Sequence, residues 1–169
     1  MADETLTVID DGLYPYGLQS SPFDDEGNPQ GRTAIIEKGV FKDRLYDQYY
    51  GLQCGKNSTG NGIRQQTVSF VVDEKFRLSP RNQPSNLRVE PGSKALEELM
   101  SEVSEGLFIH RLSWLNPQES SGLFGSEIQN AVLIEDGEVT RPVKGGLISG
   151  DVFTMIRLSL IHISEPTRQ

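Results

Sequence analysis

Two histidines and one cysteine, with a few acidic and glycine-rich strings, are the residues in this 169-residue chain whose types could support chemistry. A zinc-protease helix needs two histidines one turn apart with a glutamate between them, because the imidazoles converge on one ion while the carboxylate activates water. His110 and His162 are not so arranged. His110 falls in an apolar run where, on a strand, it shares a face with Phe108, Leu112 and Trp114, and it reads as a structural histidine ahead of a ligand or base. Ser58 or Ser113 could be drawn into a triad with His110, but no nucleophile-elbow sequence surrounds either serine. Cys54 has no second Cys or His beside it and reads as a small buried side chain rather than a nucleophile. Asp24-Asp25-Glu26-Gly27-Asn28 invites a calcium reading. A twelve-residue loop from Asp24, however, puts Pro29 where glycine is required and Ile35 where the bidentate glutamate belongs. That string, like Asp10-Asp11, therefore reads as a solvated turn. Ser58-Thr59-Gly60-Asn61-Gly62 could offer backbone N–H groups to an anion, yet it lacks the Gly-Lys-Ser/Thr ending of a phosphate loop.

What must position these residues is a β-rich framework. Apolar residues make up 36% of the chain, and 17 Gly and 9 Pro punctuate it, which points to a loop-rich fold with a modest core. Residues 5–9 read as a strand ending at Asp10-Asp11-Gly12. Residues 13–32 form a turn-rich stretch too long for a simple connection, and so an interface or functional loop. Thr33-Ala34-Ile35-Ile36-Glu37 and Val40-Phe41-Lys42 flank Lys38-Gly39 as a hairpin. Leu45, Tyr49 and Leu52 recur at helical spacing, which predicts a short helix near 44–54 closed by Gly55. Strands are predicted over 66–72 and 86–90. A helix over about 93–105 follows, capped by Ser93, carrying the stripe Leu96, Leu99, Met100 and Val103 as core, and stopped by Gly106. A strand over 107–115 precedes the strongest hairpin signal, Asp136-Gly137 between 126–135 and 138–143, and a short helix is predicted near 151–157. The expected fold class is α+β: a single domain over 1–157 of mainly antiparallel strands, barrel-like or as a curved sheet. Residues 158–169 abandon the pattern and resemble a translated sequencing adapter, so they read as a non-native tail in which His162 has no role.

Charge and composition narrow the partners. With 24 acidic against 16 basic residues the net charge is -8, which leaves no electrostatic footprint for a phosphate backbone and argues against nucleic acid. No apolar run approaches the roughly 20 residues that cross a bilayer. A single cysteine and a polar N-terminus fit a reducing, cytoplasmic setting.

The order of several motifs adds to this. Val8-Ile9-Asp10-Asp11-Gly12, Phe23-Asp24-Asp25-Glu26-Gly27, Ile36-Glu37-Lys38-Gly39-Val40 and Ser58-Thr59-Gly60-Asn61-Gly62-Ile63-Arg64 come first. Asn86 followed by Pro91-Gly92, Trp114-Leu115-Asn116-Pro117, Gly122-Leu123-Phe124-Gly125, Leu133-Ile134-Glu135-Asp136-Gly137-Glu138 and Pro142-Val143-Lys144-Gly145-Gly146 complete the series. Together they resemble the C-terminal domain of the TldD/PmbA family, described as modulators of DNA gyrase and as zinc-dependent peptidases. The Trp-Leu-Asn-Pro and Gly-Leu-Phe-Gly strings look closer to the PmbA (TldE) side. The resemblance implies a cytosolic two-subunit peptidase acting on unfolded or extended peptides, with zinc in a TldD-type subunit. The family's metal set is a His-Glu-x-x-x-His helix in the N-terminal half and a cysteine near the C-terminus. Cys54 does not match that cysteine, so the fragment is expected to bind no metal and to be inactive alone. The same resemblance places Ser58, Thr59, Gly60, Asn61, Gly62 and Arg64 in the wall of the substrate cavity. The competing reading is that Gly60 and Gly62 permit a tight turn while Arg64 pairs with a carboxylate. Two further functions stay open at this point: a non-catalytic peptide- or protein-binding regulatory module, and a self-contained hydrolase using His110.

Overall fold

A computed structural model describes residues 2–64, 78–113, 117–118 and 120–157, so the strand expected over 66–72 and the tail 158–169 lie outside the described residues. Two compact units divide the chain: Leu6–Glu90, and the residues from Pro91 onward together with those up to Thr5.

The Leu6–Glu90 unit is built on short antiparallel strands, as its β-branched runs between turns dictate. β1 (Val8–Asp11) pairs with β2 (Arg32–Glu37), Ile9 facing Ala34 and Asp10 facing Thr33. β3 (Val40–Phe41) closes the hairpin on β2. Its turn works as expected, because Lys38 and Gly39 sit at φ 48° and 74°, the positive values that a two-residue hairpin turn demands. α1 (Gln48–Gln53) is followed by β4 (Gly62–Ile63) and β5 (Arg81–Asn82), which form a separate two-stranded sheet. β6 (Leu87–Val89) joins the other edge of β1, giving the order β3-β2-β1-β6. β1 runs two residues beyond the expected stop, carrying Asp10 and Asp11 inside the sheet.

In the other unit, α2 (Leu96–Ser101) is shorter than the helix expected over 93–105. Its N-cap is Ala95 rather than Ser93 and makes no side-chain capping bond, while Glu97 and Glu98 in the first turn favour the helix dipole and Lys94 pairs with Glu102. The early end has a tertiary cause. The carbonyls of Val103 and Ser104 accept the amides of Gly137 (2.9 Å) and Asp136 (2.7 Å), which draws the chain out of the helix and onto a turn. Gly106 then belongs to β7 (Glu105–Leu112) instead of stopping the helix. The apolar stripe is not a closed core: Leu96 is 45% exposed, and Leu99, Met100 and Val103 are half-buried.

β8 (Leu123–Glu135) is the spine of this unit, with β7 on one edge. β9 (Glu138–Val143) and β10 (Leu147–Asp151) both pair antiparallel with it. Phe124, Ser126 and Ile128 turn inward in strict alternation. A register shift against β7 near Arg111 then resets the phase, so that Ala131 and Ile134 become the buried residues. Asp136 and Gly137, at φ 50° and 81°, make the β8–β9 turn that the sequence signals. Gly145 and Gly146, both at positive φ, exchange bonds with Ile128 and let the chain pass from β9 to β10 along one edge of β8. α3 (Val152–Met155) is capped by Asp151, whose carboxylate accepts the Phe153 amide at 2.9 Å and the Thr154 hydroxyl at 3.0 Å. Among the described residues the mainly antiparallel α+β fold, with helices in the three expected regions, is as the sequence reads, α2 being markedly shorter than expected. Among the described residues the sheets are open and do not close into a barrel.

Candidate functional site

The loop Ser58–Arg64 begins where α1 ends. Asp47 caps that helix through the Tyr50 amide (2.8 Å). At the other end Gly55, at φ 65°, donates to Leu52 and Lys56 donates to Gly51 at 2.8 Å, the paired bonds of a glycine-terminated helix. Gly51 is buried against the chain at Lys56–Ser58, which holds the loop's entry close to the helix.

From there nearly every polar group of the loop is taken up by the protein itself. The Thr59 hydroxyl accepts the Tyr46 amide (2.8 Å) and donates to Asn61 Oδ1 (2.6 Å), while the Thr59 amide donates to the Tyr46 carbonyl (3.0 Å). Ser58 Oγ donates to the same carbonyl at 3.0 Å and accepts the Gly60 amide at 3.1 Å. Asn61, 1% exposed, donates from Nδ2 to Asp10 Oδ2 (2.7 Å) and to the Gln83 carbonyl (3.0 Å). Asp10 also accepts the Ser85 amide (2.8 Å) and hydroxyl (2.9 Å). Asp24 accepts the amides of Glu26 (3.0 Å), Asn28 (2.8 Å) and Gly62 (2.9 Å). Asp25 accepts the Arg64 amide at 2.7 Å and donates its own amide to Gly62 at 3.0 Å. Gly60 is at φ 77° and would drive a Cβ into the Pro29 carbonyl. A Cβ on Gly62 would strike the Glu26 side chain, which is itself anchored on the Gln48 amide (2.8 Å).

The expectation that Asp10-Asp11 and Asp24–Asn28 are solvated turns is therefore corrected. Asp10 and Asp24 are 2% and 5% exposed, and they serve as the internal acceptors of the loop and its flanks. Asp10 and Asp24 each accept three hydrogen bonds, which satisfies their buried oxygens. Of the loop's amides, that of Gly62 is taken by Asp24. Of the residues placed in the cavity wall by resemblance, Gly60, Asn61 and Gly62 are buried, and Ser58, Thr59 and Arg64 keep partial exposure. Asp10, Asp24, Asp25, Glu26 and Ser85 are the partners that sequence reasoning missed.

The remaining candidates do not assemble. Cys54 is a free, exposed thiol at the C-cap of α1, not the buried side chain expected. His110 stands exposed on β7 with its ring edge-on to Phe108, centroids 4.5 Å apart, as a structural histidine would. On the surface beside the loop, the Lys56 ammonium lies 2.7 Å from Asp43; their hydrogen bond holds the Asp43 carboxyl below the usual range and Lys56 above its own. Among the described residues no three His, Cys, Asp or Glu side chains come together to hold a metal ion. Asp10 and Asp24, each already holding three donors of the protein itself, are the wrong donor set for zinc, so these residues do not fit the ion.

Fold and loop together define a β-rich domain whose described residues bring no three metal-ligating side chains together. The chain belongs to the PmbA/TldA metallopeptidase family: the model of that family's C-terminal domain matches residues 1–168. A metalloprotease of Methanocaldococcus jannaschii is 30% identical over 92% of this chain and 32% of its own. A zinc metalloprotease TldD homolog of Saccharolobus solfataricus is 30% identical over 92% of this chain and 33% of its own. The crystal structure of TldE from Thermococcus kodakarensis superposes with a TM-score of 0.78 at 30% identity, covering 92% of this chain and 33% of that one. A putative modulator of a DNA gyrase from Thermotoga maritima gives 0.73 at 27% identity, with 92% and 33% covered. The chain therefore spans about a third of the length of the relatives it matches.

Proposed function

We propose that this chain is the C-terminal portion of a longer TldD/TldE-type metalloprotease subunit, and that it walls the chamber in which unfolded or extended peptides are cleaved. Zinc is held elsewhere, by a TldD-type partner subunit. The observation that carries this reading is the carboxylate-locked loop: Asp10 takes the Asn61 side-chain amide, Asp24 the Gly62 amide and Asp25 the Arg64 amide, so the loop's contribution is a fixed surface rather than a reacting group. Ser58, Thr59 and Arg64, with partial exposure, face the chamber, while Gly60, Asn61 and Gly62 set the loop's path. An extended peptide suits the open edge along β9, which pairs only with β8 among the described strands and is exposed from Glu138 to Pro142. Such an edge adds backbone hydrogen bonds without reading side chains.

The test is made on the full-length protein, produced alone and together with a TldD-type partner, by following hydrolysis of an unfolded polypeptide with and without a chelator. Cleavage that requires the partner and disappears with the chelator is expected. Chelator-resistant cleavage by the full-length protein alone would overturn the reading. A His-Glu-x-x-x-His helix in the full-length sequence would move the metal into this subunit and refute that part of it.

A further inference from the structure

We infer that the loop from Leu13 to Phe23 is an interface knob that, in the full-length protein, seats in the polypeptide preceding this segment. In a chain of net charge -8, the run from Gly12 to Phe23 carries no charged residue and contains Leu13, Tyr14, Tyr16, Leu18 and Phe23. Uncharged, tyrosine-rich surface is the composition of an interface centre. Tyr16 and Leu18 are fully exposed, at 105% and 100%, and Leu13 and Phe23 are more than half exposed.

The knob is nevertheless pinned. Asn86 accepts the Gln19 amide (3.1 Å) and donates to the Asp11 carbonyl (2.9 Å), Ser20 Oγ donates to the Tyr14 carbonyl (2.6 Å), and the Ser21 amide donates to Gly12 (3.0 Å). The Arg88 guanidinium lies 4.0 Å from the centre of the Tyr14 ring. Inside this frame Tyr16 is held at φ 60°, a left-handed conformation that a bulky side chain adopts only when its surroundings impose it. A fixed loop presenting two large apolar side chains has already met the ordering cost of binding, which is what a docking element needs.

Chain length selects the occupant. The relatives carry this segment as about a third of their length, and the family description places it at the C-terminal end, so the rest of such a chain precedes it. That polypeptide is covalently tethered, and a tether gives it an effective concentration of about millimolar, well above what an untethered subunit reaches in dilute solution. The inference rests on the reading that this chain is the C-terminal portion of a longer one, and not on where the metal lies.

The experiment labels the full-length protein carrying Tyr16→Cys or Leu18→Cys with a maleimide, natively and in urea, and reads modification at that site by peptide mass spectrometry. Hydroxyl-radical footprinting of Tyr16 in the unsubstituted protein gives the same readout without a variant. Native protection of about a hundredfold or more, independent of protein concentration, is expected. Labelling at the unfolded rate would overturn the inference, as would protection that appears only at high concentration, with an added family subunit or with added peptide. A gene with no polypeptide preceding the segment would instead overturn the underlying reading before any labelling is done.

Discussion

Replacing Asn61 with alanine tests the loop's architecture most directly. The side chain donates to a carboxylate, Asp10 at 2.7 Å, and to a neutral carbonyl, Gln83 at 3.0 Å, in a position 1% exposed. A hydrogen bond to a charged group contributes about 1.5–3 kcal/mol and one between neutral groups about 0.5–1.5 kcal/mol. The third bond, from Thr59, adds little to the loss, because that hydroxyl can turn to the Tyr46 carbonyl 3.1 Å away. Asn61→Ala is therefore expected to cost about 3 kcal/mol, roughly a hundredfold in the folded population. Asn61→Asp costs more, since it replaces the donor to Asp10 with a second acceptor facing the same oxygens. Urea unfolding of the full-length protein, followed by circular dichroism, measures both. A cost below about 1 kcal/mol for Asn61→Ala would refute the claim that this amide anchors the buried carboxylate.

Three other outcomes follow from the same geometry. Gly60→Ala should lower stability by about 3 kcal/mol, combining the left-handed backbone with a backbone clash, whereas Gly27→Ala, at φ 85° with nothing near its Cβ, should cost only about 1 kcal/mol; paired urea midpoints separate the two terms. The Asp43 carboxyl should titrate below the ordinary aspartate range in carbon-detected NMR and rise towards it in Lys56→Met. Because its folded value is lowered, its small contribution is present at neutral pH and lost as the pH falls through that value; an unchanged titration in the variant would remove the ion pair from consideration. His110→Gln should leave peptide hydrolysis by the assembled enzyme within about twofold, since the imidazole is exposed and only stacks on Phe108; a hundredfold loss would revive a catalytic role.

Where the determining interactions are local, the sequence could be read. The Lys38-Gly39 and Asp136-Gly137 turns, the Gly55 helix end and the strands they join each depend on residues within one turn of chain. The extent of α2 could not be read in this way, because its stop is set by amides of Asp136 and Gly137 more than thirty positions later in the sequence. The acidic residues were misread for the same reason. Asp24 meets Gly62 across 38 positions, Asp10 meets Asn61 across 51 and Ser85 across 75. Composition reveals an acid surplus, but only the fold says which carboxylates face water and which accept the protein's own amides.

That division of the carboxylates links fold to function. A carboxylate that accepts three donors has little capacity left for a metal ion, and the same three bonds make the backbone it holds rigid. The Ser58–Arg64 loop thus gains a fixed shape by the interactions that remove it from the chemistry. In the role proposed above, as the wall of a peptide chamber, fixed shape is the useful property, because a loop held through its backbone amides keeps its form whatever side chains pass it.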